Sequence, residues 1–195
     1  MAVTLQKGQK VDLTKGSSLS KILVGLGWDA EVKKGGFFGT KKVEIDCDAS
    51  VVMLNENGKF MNKDNLVYFG NLKNKNDSVH HMGDNRTGDG DGDDEQIIVD
   101  LKNIPADIHR LVFVVNIYDC KARHQDFGMV KNAFIRIVDT ASNKEFIKYN
   151  LSDEYAGKTA LVIGEVYRHQ GEWKFAAIGE GTNDQSLSEM LKHYT

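Results

Sequence analysis

Apolar and polar residues alternate with a period of two through most of this chain, and the alternating runs are rich in Val, Ile, Phe and Tyr. That pattern marks strands with one buried face. It predicts strands at Ile22–Gly27, Lys42–Leu54, Leu66–Phe69, Gln96–Leu101, Arg110–Tyr118, Ala133–Asp139, Glu145–Asn150, Thr159–His169 and Glu172–Gly179. Short strands are expected at Val3–Leu5 and Lys10–Leu13. Asn55-Glu56-Asn57-Gly58 reads as a turn after the second long run, and His169-Gln170-Gly171 as a hairpin turn between two strands. The single proline, Pro105, falls between strand candidates, where it removes no ladder bond. Helical spacing appears only near the end. Leu187, Met190, Leu191 and Tyr194 place one apolar face on Gln185–Tyr194, with Asn183 or Asp184 as the expected cap.

About ten strands and one terminal helix predict an all-β protein. The expected architecture is a two-sheet antiparallel β-sandwich with ion-binding loops at one end and a short C-terminal helix. No internal repeat or linker divides it, so residues 1–195 are read as a single domain. A chain of 195 residues buries enough surface to fold without a disulfide or a structural metal. Its balance of 41% hydrophobic and 27% charged residues is that of an ordinary globule. Cys47 and Cys120 have no spacing that argues for a bridge and are expected to be reduced thiols. The first residues contain no apolar run of the secretory kind, and no stretch reaches the roughly 18 apolar residues of a membrane span. The expected location is cytoplasmic, with peripheral association at the inner face of a membrane left open.

Net charge is −3, but its distribution is uneven. Residues 84–95 hold Asp84, Asp89, Asp91, Asp93, Asp94 and Glu95 against one base, Arg86. That segment is −5, so the remaining residues carry +2. Such a field attracts cations and repels polyanions, and no basic stripe with interleaved aromatics is present, which argues against a nucleic-acid partner.

The acidic segment suits a hard cation. Ca²⁺ takes about six to eight oxygen ligands, and a short loop can aim that many at one point only if its backbone curls tightly. Glycines at 83, 88, 90 and 92 permit such curling. The loop is not an EF-hand: counted from Asp89, Asp94 stands where that template needs glycine and Asp100 where it needs glutamate. A solvated acidic loop is the alternative. Two other features favour an ion. Asp46 and Asp48 share one face of a strand, with Cys47 on the other, and Gly27-Trp28-Asp29 ends an apolar strand on a carboxylate. Paired aspartates beside apolar Val51–Leu54 would be costly if buried without a cation.

Other chemistry finds less support. His80 and His81 beside Ser78 fit no nucleophile–base spacing and read as exposed or backbone-bonded. Zinc would call for Cys and His ligands, whereas oxygen dominates here. Cys47 reads as core and inert, so thiol reduction of an oxyanion is disfavoured. Trp28 and Trp173 read as core aromatics.

The run Ser78-Val79-His80-His81-Met82-Gly83-Asp84-Asn85-Arg86-Thr87-Gly88, followed by Gly92-Asp93-Asp94-Glu95, resembles the signature of the TerD family of tellurium-resistance proteins. Gly25–Asp29, Asp46–Ser50, Asn116–Asp119, Asn132–Arg136, Gly164–His169 and Gly171–Phe175 are similar to further family segments, in family order. The resemblance implies a β-sandwich with two neighbouring Ca²⁺ ions, in a bacterial stress system tied to tellurite, phage and colicin tolerance, working near a membrane-associated protein partner. Carried over residue by residue, it implies Asp29, Asp46, Asp48, Asp84, Asn85, Asp93, Asp94 and Glu95 as ligands. Asp89 and Asp91 enrich the loop beyond the family pattern and read as solvated. The implied function is a non-enzymatic Ca²⁺-dependent scaffold or sensor. The alternatives are Ca²⁺-bridged binding of a nucleotide or phospholipid headgroup, and a metal-dependent phosphoester hydrolase.

Overall fold

The computed structural model describes residues 2–17, 19–30, 32–34, 40–42, 45–83, 92–151 and 155–195. Its strands are β1 (Val3–Leu5), β2 (Lys10–Asp12), β3 (Lys21–Ala30), β4 (Val32–Lys34), β5 (Thr40–Lys42), β6 (Cys47–Leu54) and β7 (Leu66–Val67). They continue with β8 (Val79–His81), β9 (Glu95–Asp100), β10 (Arg110–Ile117), β11 (Val130–Asp139), β12 (Lys144–Asn150), β13 (Ala160–His169) and β14 (Glu172–Thr182). One helical turn, α1 (Cys120–Arg123), follows β10, and α2 (Leu187–Leu191) closes the chain with a 3₁₀ turn over Lys192–Tyr194.

Two six-stranded sheets form the sandwich. The first runs β1-β12-β11-β3-β9-β8 and the second β2-β14-β13-β10-β6-β7, while β4 and β5 pair by themselves. The expected β-sandwich is therefore found, and among the described residues all the strand pairings but one are antiparallel: β1 lies parallel to β12. Period-two burial is plain in β9, where Glu95, Ile97 and Val99 are buried and the residues between them are not. Odd-numbered residues of β6 (Cys47, Ala49, Val51, Met53) enter the inter-sheet core with Ile22, Val24, Leu26 and Trp28 of β3. Even-numbered Val52 and Leu54 of β6 face outward, where they form a second cluster with Val112, Val114 and Met190 of α2.

The differences from the sequence reading have local causes. The long run predicted from Lys42 divides into β5 and β6, with Ile45 and Asp46 outside either strand. The strand predicted to Phe69 ends at Val67, because Tyr68 and Asn71 pair with each other in a turn. β8 is too short to give a periodic signal. The terminal helix is capped by Ser186, whose hydroxyl accepts from Glu189 N, rather than by Asn183 or Asp184. The two turns form as read: Asn55 Oδ1 accepts from Asn57 N and Lys59 N, and Gln170 and Gly171 both adopt positive φ between β13 and β14.

Candidate functional site

One end of the sandwich gathers the start of β6, the start of β9 and the end of β3. The first step is steric. Gly25 and Gly27 occupy alternate positions on the outer face of β3, and a Cβ at Gly25 would overlap the Asp93 carboxylate. At Gly27 it would overlap the Phe134 ring and the Gly92 carbonyl. Bare backbone at these positions lets the segment before β9 lie across the sheet.

The register then explains how Asp93 is held. Arg136 of β11 and Gln96 of β9 flank Gly25 on either side. Arg136 grips both oxygens of Asp93, from Nε at 2.6 Å and Nη2 at 3.0 Å, and Gln96 Nε2 donates to the same carboxylate at 3.1 Å. The Asp93 side chain is fully buried, while that of Arg136 is 32% exposed. Bidentate pairs of this kind are the strong ones. Arg136 also meets Glu145 at 3.4 Å.

Asp94 and Glu95 point elsewhere. Asp94 extends the ladder by donating its N–H to Leu26 O, and its carboxylate accepts from Trp28 N at 2.7 Å. Burial pushes the Asp94 carboxyl up, and the charges of Asp29, Asp93 and Glu95 push the same way, against the stabilising Trp28 N–H. Glu95 reaches inward between the sheets. β7 pairs with β6 only at Val51 and Val52, so Ala49 N lies beyond the paired stretch and donates to Glu95 Oε2 at 2.7 Å. The same oxygen meets His81 Nε2 at 3.2 Å. Gly83 N donates to His81 Nδ1, which leaves Nε2 to carry the proton toward Glu95. His81 is thus backbone-bonded, as one reading allowed, but it is fully buried rather than exposed.

Asp29 sits exposed at the rim and accepts from Asn132 Nδ2 at 2.7 Å. Asn132 adopts φ +52° in a bulge of β11, where Lys131 pairs with Asp29 but Phe134 with Gly27. The extra residue turns the amide toward the carboxylate. Asp46 lies 3.5 Å from Arg123 Nη1. Asp48 is buried on the outer face of β6. Cys47 lies between these groups: burial pushes its thiol well up, followed by Asp48, Glu95, Asp46 and Asp94 in order of effect. The core position expected of Cys47 holds, and the charges acting on its thiol are those of four carboxylates near one strand end.

Of the eight expected ligands, then, Asp29, Asp46, Asp48, Asp93, Asp94 and Glu95 lie at this end, whereas Asp84 and Asn85 fall outside the described residues. Among the described residues, no three His, Cys, Asp or Glu side chains already stand in ligating geometry. The six carboxylates offer hard oxygens, the kind Ca²⁺ takes. Arg136, Gln96, Asn132 and His81 are parts of the site that the sequence reading did not assign. A lone arginine inside the apolar run Phe134–Val138 was the available signal for the first.

Beside this cluster a cleft of about 570 Å³ opens, lined by Trp28, Asp29, Gly92, Asn132, Phe134 and Lys148 among others. Lys148 Nζ stands 4.3 Å from the centre of the Phe134 ring.

The family model described as "TerD domain" matches residues 1–194. The chain is 59% identical to "Stress response protein SCP2" of Bacillus subtilis, with all of both chains covered. It is 44% identical to "Tellurium resistance protein TerD" of Serratia marcescens, over 93% of this chain and 91% of that one. The fold is similar to the crystal structure of a homologue of telluride resistance protein (TerD) from Streptomyces coelicolor A3(2). That comparison has a TM-score of 0.68 at 18% identity and covers 91% of this chain and 99% of the other.

Proposed function

The chain belongs to the TerD domain family, which includes tellurium-resistance and stress-response proteins, and from that premise we propose that it is a non-enzymatic Ca²⁺-binding protein acting as a scaffold or sensor in a stress-resistance system. The observation that carries this reading is the convergence of Asp46, Asp48, Asp94 and Glu95 around Cys47, with Asp29 and Asp93 acting on Asp94. Like charges gathered at one strand end raise the energy of the ion-free protein, and a divalent cation would relieve them. Asp29, Asp46, Asp48, Asp94 and Glu95 would hold ions together with Asp84 and Asn85 of the loop. Asp93, clamped by Arg136, would fix the approach of that loop. Bound Ca²⁺ supplies charge neutralisation and ties three chain segments together, which suits a signal read by a membrane-associated protein partner in the cytoplasm.

Calorimetry with Ca²⁺ and with Mg²⁺ tests the proposal. Saturable Ca²⁺ binding near two ions per chain, preferred over Mg²⁺ and weakened by Asp94→Asn, is expected. Absence of saturable Ca²⁺ binding would overturn it, and turnover of a generic phosphodiester would overturn its non-enzymatic part. Co-sedimentation with anionic liposomes, with Ca²⁺ or EGTA, tests the peripheral membrane location. The cleft of Asp29, Asn132 and Lys148 favours a second reading, in which an ion at Asp29 and the Lys148 ammonium together receive a small anionic ligand such as a nucleotide or phospholipid headgroup.

A further inference from the structure

A second cavity, of about 450 Å³, lies on the outer face of the second sheet. Its floor comes from even-numbered positions of β6 and from β10. Asp48 faces Asn116 across the ladder, and Ser50 lies one step along, opposite Val114. Farther along the same face Val52, Leu54, Val112 and Val114 are sealed by Met190 of α2. The face thus changes from apolar to polar as β6 runs back from Leu54 toward Asp48, and the cavity opens over the polar half.

Ser50 and Asn116 are 1% and 6% exposed, and Ser50 Oγ and Asn116 Oδ1 have no hydrogen-bond partner. Buried polar atoms left unpaired cost stability, and an alanine or valine in their place would remove that cost. Local rules broken in this way mark places where a sequence serves something other than folding. Among the described residues lining the cavity, the side chains charged at neutral pH are two acids, Asp48 and Asp119. Asp119 begins α1 in the left-handed region, and its carboxylate caps no helix N–H. Phe69 and Tyr118, 44% and 48% exposed, stand at the rim. The neighbouring Arg123 is stacked on Tyr118 and directed to Asp46.

We propose that this cavity, floored by buried Ser50 and Asn116 and rimmed by Asp119 and Tyr118, recognises a small organic cation carrying an ammonium or guanidinium group. Such a group offers several N–H donors and no acceptor, which matches a floor of unpaired oxygens. Its charge matches the two carboxylates, and the exposed Phe69 ring at the rim attracts cations through its face. A phosphate or a carboxylate would meet like charge instead. The proposal does not rest on Ca²⁺ binding, although Asp48 belongs to both sites.

Calorimetry of the full chain in EGTA, with agmatine and N-acetyl-arginine amide as probes and glucose as the neutral control, tests it. Both cations should bind saturably, and glucose at least tenfold more weakly. Ser50→Ala and Asn116→Ala should each weaken agmatine by roughly tenfold, as loss of a hydrogen bond to a charged group does. Neither should lower the melting temperature, since each removes an unpaired buried atom. Asp119→Asn should weaken binding and reduce its salt dependence. Tighter binding of the arginine amide would assign the cation to a protein side chain, and tighter binding of agmatine to a free amine. No saturable binding of either cation, equal binding of glucose, or unchanged affinity in both Ser50→Ala and Asn116→Ala would overturn the proposal.

Discussion

Replacing Arg136 by methionine keeps the aliphatic stem and removes the guanidinium that holds Asp93. The carboxylate left behind is fully buried, with Gln96 the one remaining donor to it among the described residues. Leaving one member of a buried ion pair unpaired costs about 3–5 kcal/mol. Arg136 is itself 32% exposed, so water reaches the pair and screens it, which lowers the expected loss to about 2–3 kcal/mol. In a domain of this size that corresponds to a fall in melting temperature of roughly 5–10 °C. Denaturant unfolding in EGTA measures the loss directly. Adding Asp93→Asn to Arg136→Met should restore most of it, because the uncompensated charge is gone, and the double-mutant cycle should give a coupling of about 1–3 kcal/mol. A loss below about 0.5 kcal/mol, or a double variant no more stable than Arg136→Met alone, would refute the argument that Asp93 is a buried charge held by Arg136. Repeating the melts with Ca²⁺ separates the roles of Asp93. If it only anchors the loop, the Ca²⁺-induced rise shrinks in Arg136→Met; if the freed carboxylate ligates, the rise grows.

Gly25→Ala should destabilise the protein by about 1–3 kcal/mol, since the new methyl overlaps a carboxylate that cannot retreat from its clamp; unchanged melting would sink that steric account. Asp94 has a raised pKa in the folded state, so it favours folding below its unfolded value near 3.8 and loses that contribution as pH rises through the raised value. Ion-free Asp94→Asn should therefore melt no lower than wild type near pH 7, the balance shifting toward wild type on acidification, and should lose the Ca²⁺-induced rise. Cys47, fully buried and with its thiol pushed well up, should react with a disulfide reagent at pH 8 only upon unfolding; rapid labelling of the native protein would contradict the packing. Burial and then the charges of Glu165, Glu180 and Asp184 push Tyr194 up to about 12. The contribution of its neutral ring to stability is complete below about pH 10 and lost as pH rises through about 12. Tyr194→Phe should remove that alkaline loss, worth about 1–2 kcal/mol after screening, as read from melts between pH 9 and 12.

Alternation with period two is a local property, and it was enough to indicate an all-β chain, most strand positions and the turns at Asn55–Gly58 and Gln170–Gly171. The acidic cluster around residues 84–95 was equally legible, because composition needs no partner to be read. So was the shared face of Asp46 and Asp48, since side-chain direction along a strand follows from parity alone. Which face that was could not be read. β6 is apolar at both parities from Val51 to Leu54, and it is the packing of Cys47, Ala49, Val51 and Met53 against β3, with α2 over Val52 and Leu54, that shows Asp48, Ser50 and Asn116 facing outward. The partners of the carboxylates were likewise set by long-range register. Asp93 meets an arginine 43 residues away because β11 and β9 flank β3 at Gly25, and Glu95 reaches β6 because β7 is too short to cover Ala49. Sequence period determines how each strand presents its side chains. Strand order and register determine what they meet, because those depend on contacts between segments that carry no local mark of one another.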